Sequence, residues 1–393
     1  MIARKKAFAL TAAFALQLFL RIATAAAGAC ESPIGKDFSS ATPGDVGMSA
    51  DVLLKLNTLL DEGTYDVRSL LIVRDCKLVF ERYGSGIGRD HNHTIYSVTK
   101  SITATLVGNL LLEGKLKSVD VPIASVVSKP FWFRDGDWKK AERITLKNAM
   151  QMSSGLAYMH DPVNNPIYNL QADRFAVALA PDQVAEPGTR FQYSDGDVTL
   201  TGAVVAAAAD TNLYKFARQA LFDPLGMVNH DWMFLDRAGR FPGGWGLRLR
   251  PMDMAKVGQL YLQNGEWNGR RIFGPDFREL AWSPGVNKSY ALHWWVGTAP
   301  EAQGASYMAA IGFKGQRIWV FPTLRIVAVL TSSLPGSEER IVAGSIIRAL
   351  VEATDKAIGP EDQKAQAALD ALQKKGFQGQ TRIFQADQDW PSR

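Results

Sequence analysis

The sequence predicts an α+β protein, an antiparallel sheet flanked by helices with an inserted α-rich lobe. Three observations carry that prediction. Two β-rich runs, Ser69 to Arg74 and Lys77 to Tyr83, form an early hairpin signal. Three more, Ala309 to Phe313, Gln316 to Phe321 and Leu324 to Thr331, come late in the chain. Between the two groups, helical stretches alternate with Pro/Gly loops to about Arg240. A sheet built from both ends of the chain around a helical insert follows, with a site expected in the cleft between the lobes. The α/β lobe is expected at about 45–96 and 250–355, the α-rich lobe at about 97–249, and a C-terminal extension at 359–393.

Each element has a local reason. Ser49 can cap a helix from Ala50 to about Glu62 whose Leu53, Leu56 and Leu60 share a face. The hairpin turns at Asp75-Cys76, where both central residues need positive φ. A helix starting at Ser97 carries Ile102, Leu106, Leu110 and Leu111 on one side and stops near Glu113-Gly114. Ala203 to Ala209 and Tyr214 to Leu221 are helical by propensity. Gly243-Gly244-Trp245-Gly246 reads as a flexible loop, and Pro251 then opens a helix. The last two strands join at Pro322-Thr323, Ser337 to Thr354 is an amphipathic helix, and one more short helix follows Gly359.

At 393 residues, 47% hydrophobic and 21% charged, the chain can bury a large core, which excludes disordered and fibrous classes. Arg4, Lys5 and Lys6, an apolar run from Ala7 to Leu20 and small residues to Ala25 match an export signal over residues 1–25. Cleavage is expected near Ala25 to Ala29, giving a periplasmic or secreted protein. The apolar run falls short of the roughly 20 residues a transmembrane span needs. Residues 1–25 hold four cations, Arg21 included, and no acid, so their removal takes the formal charge from +5 to +1. Nucleic acid is therefore not an expected partner. Cys30 and Cys76 would meet an oxidising compartment, where a disulfide between them would stabilise by about 4 kcal/mol. Two unpaired thiols are the alternative. Lipid on Cys30 is disfavoured because Ala27-Gly28-Ala29 lacks a large aliphatic residue. No Cys-x-x-Cys or His-Glu-x-x-His occurs, so no metal or cofactor is expected. His91 and His93 read as a polar loop and His160 as a surface loop.

The chemistry concentrates at Ser97-Val98-Thr99-Lys100. Residues three apart share a helix face, so the Lys100 amine can reach the Ser97 hydroxyl. A serine alcohol needs a neighbour to take its proton, and Lys, or a Tyr activated by Lys, can do so without histidine. Starting the helix at the serine sets its own N–H at the positive dipole end, where an oxyanion is stabilised. Tyr193 in Tyr193-Ser194-Asp195 offers the second base.

Several ordered segments then resemble one family. They are Tyr96-Ser97-Val98-Thr99-Lys100-Ser101, Met152-Ser153-Ser154-Gly155-Leu156, Pro187-Gly188 followed by Phe191 to Asp197, Pro251 to Ala255 with Gly258 to Leu262, Gly265-Glu266-Trp267, and Gly312 to Gln316. Together they are similar to the serine β-lactamase-related hydrolases, which include class C β-lactamases, D-Ala-D-Ala carboxypeptidases, and esterases and amidases such as 6-aminohexanoate-dimer hydrolase. The resemblance spans roughly residues 45 to 350 and implies a β-lactamase/transpeptidase-like fold. It makes Ser97 the acylated nucleophile, Lys100 its proton partner and Tyr193 the base. It also implies that the Gly315-Gln316 strand edge gives the second oxyanion donor and that Phe313 and Asp195 border the substrate. Trp245, Trp294 and Trp295 would line an acyl pocket or pack in the core.

Two departures narrow the substrate. Asp195 stands where lactamases carry Asn, and a carboxylate cannot donate the amide hydrogen bond. Phe313-Lys314-Gly315 replaces the Lys/His-Thr/Ser-Gly motif, with Lys314 at the wrong alternate strand position. The resemblance is thus to the esterase and amidase branch, acting on a small-molecule ester or amide. The alternatives are a penicillin-directed enzyme and a non-catalytic envelope binding protein.

Overall fold

The computed structural model describes residues 37–299 and 304–377. Cys30 and residues 1–25 lie outside them. Seven strands form one sheet in the order Ser39–Ser40, Lys77–Tyr83, Val67–Arg74, Ile326–Ser332, Gln316–Phe321, Ala305–Gly312, Trp295–Ala299. All neighbours run antiparallel except the two-residue edge strand, which is parallel to Lys77–Tyr83. The early hairpin and the three late strands therefore meet at the pairing of Leu70 with Leu330 and Val73 with Val327.

Strand alternation sorts the core into two layers. Leu70, Ile72, Trp319, Phe321, Ala328 and Leu330 face one layer with Leu53, Leu56 and Leu60 of the Ala50–Glu62 helix and with Ile346 and Leu350 of the Gly336–Asp355 helix. Leu71, Val73, Ile318, Val320, Val327 and Val329 face the other, against Met254, Val257 and Leu260 of the Pro251–Leu262 helix. That second layer continues into the α-rich lobe through Ile102, Leu106 and Leu110 of the Val98–Leu112 helix. Burial of each such side chain contributes about 1.5–3 kcal/mol.

Several local expectations are corrected. The Val98–Leu112 helix is buried all round rather than on one side. Three of its polar side chains survive burial because each donates to a backbone carbonyl. Ser101 Oγ donates to the His293 carbonyl at 2.7 Å, Thr103 Oγ1 to Gly243 at 2.7 Å, and Asn109 Nδ2 to Ile272 at 2.8 Å. The segment around Gly243-Gly244 is therefore not a flexible loop but a buried one. The helix expected from Ala203 starts at Asp195, where Ser194 Oγ accepts the Asp197 N–H. The stretch expected as one helix to Leu221 is Leu213–Ala217 followed by a wider turn of helix at Arg218–Phe222. The helix after Gly359 runs Pro360–Lys374 and packs on the Ala50–Glu62 helix, with Ser49 Oγ donating to Asp362 Oδ1 at 2.5 Å. The Trp295–Ala299 strand was not expected. The hairpin turn is as read, with φ of 50° at Asp75 and 64° at Cys76, and Cys76 is half-buried. Among the described residues no helix is long and apolar enough to cross a membrane.

Candidate active site

Ser97 is the N-cap of the central helix, with φ −69° and ψ −6°. The residue before it, Tyr96, has φ 46°, an unusual conformation for an aromatic residue and one that concentrates at functional turns. One turn on, Lys100 is 1% exposed, and its Nζ donates to Ser97 Oγ at 3.0 Å. A buried ammonium needs compensation. It donates to Asp195 Oδ1 at 2.6 Å and to the Gly244 carbonyl at 3.2 Å.

Burial alone would push the Lys100 amine down, but the charge of Asp195 and then that of Tyr193 raise it above its ordinary value. Burial likewise pushes the Asp195 carboxyl up, and the Lys100 ammonium more than reverses this, holding it below the usual carboxylate range. Asp195 Oδ2 also accepts the Tyr168 hydroxyl at 2.5 Å and the Tyr158 hydroxyl at 3.3 Å. Gly244 has no room for a side chain, since a Cβ there would lie 2.4 Å from Val198 and 3.1 Å from both Lys100 Nζ and Asp195 Oδ1.

Tyr193 reaches this group from the segment just before the Asp195 helix. Gln192 donates to the Met152 carbonyl at 2.8 Å, which ties that segment to the Met152-to-Leu156 turn. Ser154 adds a second tie, its Oγ donating to Asp197 Oδ1 at 2.6 Å and its N–H to Oδ2 at 3.1 Å. Burial pushes the Asp197 carboxyl up to about 7. The Tyr193 ring stacks on Trp295 with centroids 5.9 Å apart, and Lys100 Nζ lies 5.0 Å from its centroid. A hydrogen bond with Tyr193 is among the contacts that raise Lys100.

A cavity of about 310 Å³ opens beside these groups, between the lobes. Ser97, Tyr193, Asp195, Trp245 and Phe313 all contribute to its wall. Trp295 does so as well, whereas Trp294 is fully buried and donates to the Tyr261 hydroxyl at 3.1 Å. Gly315 and Gln316 do not line the cavity. The chain turns at Lys314 and Gly315, with φ of 61° and 91°, and leaves Ile311, Gly312 and Phe313 at the wall. The Gln316 amide is occupied elsewhere, donating to the Ser332 carbonyl at 2.6 Å and accepting the Ser332 N–H at 3.3 Å. His160, read as a surface loop residue, is exposed and also at the cavity wall. Tyr158, Tyr168, Gly244 and Glu339 are the site residues that sequence reasoning missed.

His93, expected in a polar loop, is instead buried in a short strand paired with Leu249, and burial pushes its imidazole down to about 3. Among the described residues no group of three or more His, Cys, Asp or Glu side chains could hold a metal.

A serine hydroxyl, a buried amine and a phenol gathered at a cleft between a sheet lobe and a helical lobe define a class, the hydrolases of the β-lactamase fold. The Beta-lactamase family model matches residues 59–352, and the chain belongs to that family. It is similar to 6-aminohexanoate-dimer hydrolase of Paenarthrobacter ureafaciens, 23% identical over 76% of this chain and 81% of the relative. Among solved structures it is similar to a Bacillus anthracis protein provisionally named 6-aminohexanoate-dimer hydrolase. The TM-score there is 0.66 at 21% identity, covering 82% of this chain and 89% of the other. A D-stereospecific amidohydrolase from Streptomyces sp. superimposes with TM-score 0.58 at 15% identity, over 74% and 97% of the two chains.

Proposed function

We propose that this protein is an exported serine hydrolase that cleaves a small ester or amide through an acyl-enzyme on Ser97. The observation that carries the reading is the 3.0 Å contact between Lys100 Nζ and Ser97 Oγ, made by a lysine that Asp195 keeps charged. An ammonium cannot take a proton. In this reading Tyr193 acts as the phenolate, its charge held by the adjacent Lys100 ammonium, and it becomes the neutral phenol as it takes the Ser97 proton. Ser97 Oγ bonds to the carbonyl carbon, the bond to the leaving oxygen or nitrogen breaks, and that atom takes the proton from Tyr193. Water then adds to the acyl carbon, the acid is released, and Ser97 regains its proton. The Ser97 N–H at the helix start and the backbone of Gly312-Phe313 are the donors at hand for the oxyanion.

The cavity supports an uncharged ester or amide over a penicillin. None of its lining residues is Lys or Arg, so a substrate carboxylate would lack a cation there. The sequence of residues 1–25 supports export by a cleaved signal, and the oxidising compartment this implies supports pairing of Cys30 with Cys76.

The test is labelling with a fluorophosphonate followed by peptide mapping, beside turnover of p-nitrophenyl esters of increasing chain length, nitrocefin and D-alanyl peptides. Label on Ser97 with ester turnover is expected. Label elsewhere, or a Ser97→Ala variant as active as the wild type, overturns the proposal. Nitrocefin turnover exceeding that of the esters would favour the penicillin-directed alternative.

A further inference from the structure

The turn that follows the cavity strand is an awkward piece of backbone. Lys314 and Gly315 are both in the left-handed region, and Lys is not a residue that favours it. Gly312 is also pressed close to the start of the Ser97 helix, since a Cβ there would stand 2.4 Å from the Ile95 carbonyl. Small movements of this turn therefore move the cavity wall relative to Ser97.

One side chain grips both ends of it. Arg317, buried on the next strand, donates from Nη1 to the Gly312 carbonyl at 2.8 Å and to the Gln316 carbonyl at 2.9 Å. These carbonyls bracket Phe313-Lys314-Gly315. From Nη2 the same guanidinium donates to Glu339 Oε2 at 2.8 Å, and Glu339, in the first turn of the Gly336–Asp355 helix, lines the catalytic cavity. A planar fork with several fixed donors can make these three bonds at once, and a lysine cannot reproduce them.

We propose that Arg317, anchored by Glu339, is a positioning residue for acyl transfer. It fixes the Gly312-Phe313 backbone so that its N–H donor meets the oxyanion formed at Ser97. The inference rests on the Ser97 reading above. It adds two residues that the family motifs do not point to, one of them outside the strand motif altogether. A donor that binds charge developing only in the transition state acts on kcat, so loosening it lowers kcat with little change in KM.

The experiment measures kcat and KM for a p-nitrophenyl ester, the rate of fluorophosphonate labelling and Tm for Arg317→Met, Arg317→Lys and Glu339→Gln beside the wild type and Ser97→Ala. Loss of a single oxyanion donor typically costs on the order of 10²–10³ in kcat. Arg317→Met is expected to lose about 10²-fold in kcat with KM changed less than about threefold, and to be labelled correspondingly slowly. Arg317→Lys should recover part of that loss. Glu339→Gln, which keeps Arg317 and its two carbonyl contacts but weakens their anchor, should lose about tenfold in kcat. If Arg317→Met does not fold, Glu339→Gln decides by the same split between kcat and KM. Unchanged kcat in the folded variants, or a rise in KM alone, overturns the proposal while Ser97→Ala remains inactive. An active Ser97→Ala would instead overturn the reading on which it rests.

Discussion

Lys100 Nζ stands 2.6 Å from Asp195 Oδ1, and the two side chains are almost entirely removed from water. The ion pair joins the start of one helix to the start of another, so the same contact closes the interior and sets the protonation of the site. Replacing Asp195 with Asn removes the largest influence holding Lys100 charged. The Lys100 amine then falls, because its burial is no longer opposed. An activity that needs the ammonium should lose its alkaline side at lower pH than in the wild type. The kcat/KM profile of Asp195→Asn checks this, with a drop of about 10²-fold at neutral pH expected from disturbed proton transfer.

Tyr193→Phe keeps the ring that stacks on Trp295 and removes only the hydroxyl. Stability should stay within about 1 kcal/mol of the wild type, while kcat falls by about 10²–10⁴-fold. Thermal unfolding together with steady-state kinetics separates the two effects. A Tm loss with full activity would contradict the proton-transfer role.

Gly244→Ala sets a methyl group 2.4 Å from Val198 and 3.1 Å from Lys100 Nζ. The segment is packed on both sides, and overpacking of this kind costs about 1–3 kcal/mol. Because the displaced atoms include the lysine that touches Ser97, activity should fall further than stability explains. Urea unfolding and ester kinetics on the same preparation measure both.

Asp197 makes stability depend on pH in an unusual direction. Its folded value near 7 exceeds the 3.8 of an unperturbed aspartate. Between those values the unfolded chain releases this proton and the folded chain keeps it. The contribution is therefore complete below about pH 4 and is lost as pH rises through 7. Relative to Asp197→Asn, the wild type should lose stability over that interval. Denaturant unfolding of both proteins at pH 4.5, 6 and 8 checks the sign.

The parts of the site that were legible in the sequence are those set by local geometry. Ser97 and Lys100 are one helical turn apart, and the helix start that presents them follows from spacing alone. Tyr193 entered through the order of several motifs. By sequence Asp195 is an altered substrate contact, because the resemblance sets it where lactamases carry Asn, yet its partner is Lys100. A lysine inside an apolar helix demands a carboxylate, so that signal was present but unused. Tyr158 and Tyr168 carry no such signal, since they reach Asp195 from a loop and from the single helical turn Pro166–Tyr168, too short for any periodicity to encode. The helix start at Asp195 was hidden because Gly196, Thr199 and Thr201 are weak helix formers, and tertiary burial overrode them. The Trp295–Ala299 strand was missed because its five residues include Gly297 and lie at the sheet edge.

The helix that begins at Ser97 is enclosed on every side, whereas the rim of its cavity includes exposed positions such as His160 and Phe313. On the function proposed here, reactivity and selectivity are thereby housed in parts of the molecule that can drift independently. Exchanging rim side chains should redirect which acyl groups are admitted while the enclosed machinery goes on working unaltered, so the protein is a natural starting point for retargeting by loop grafting.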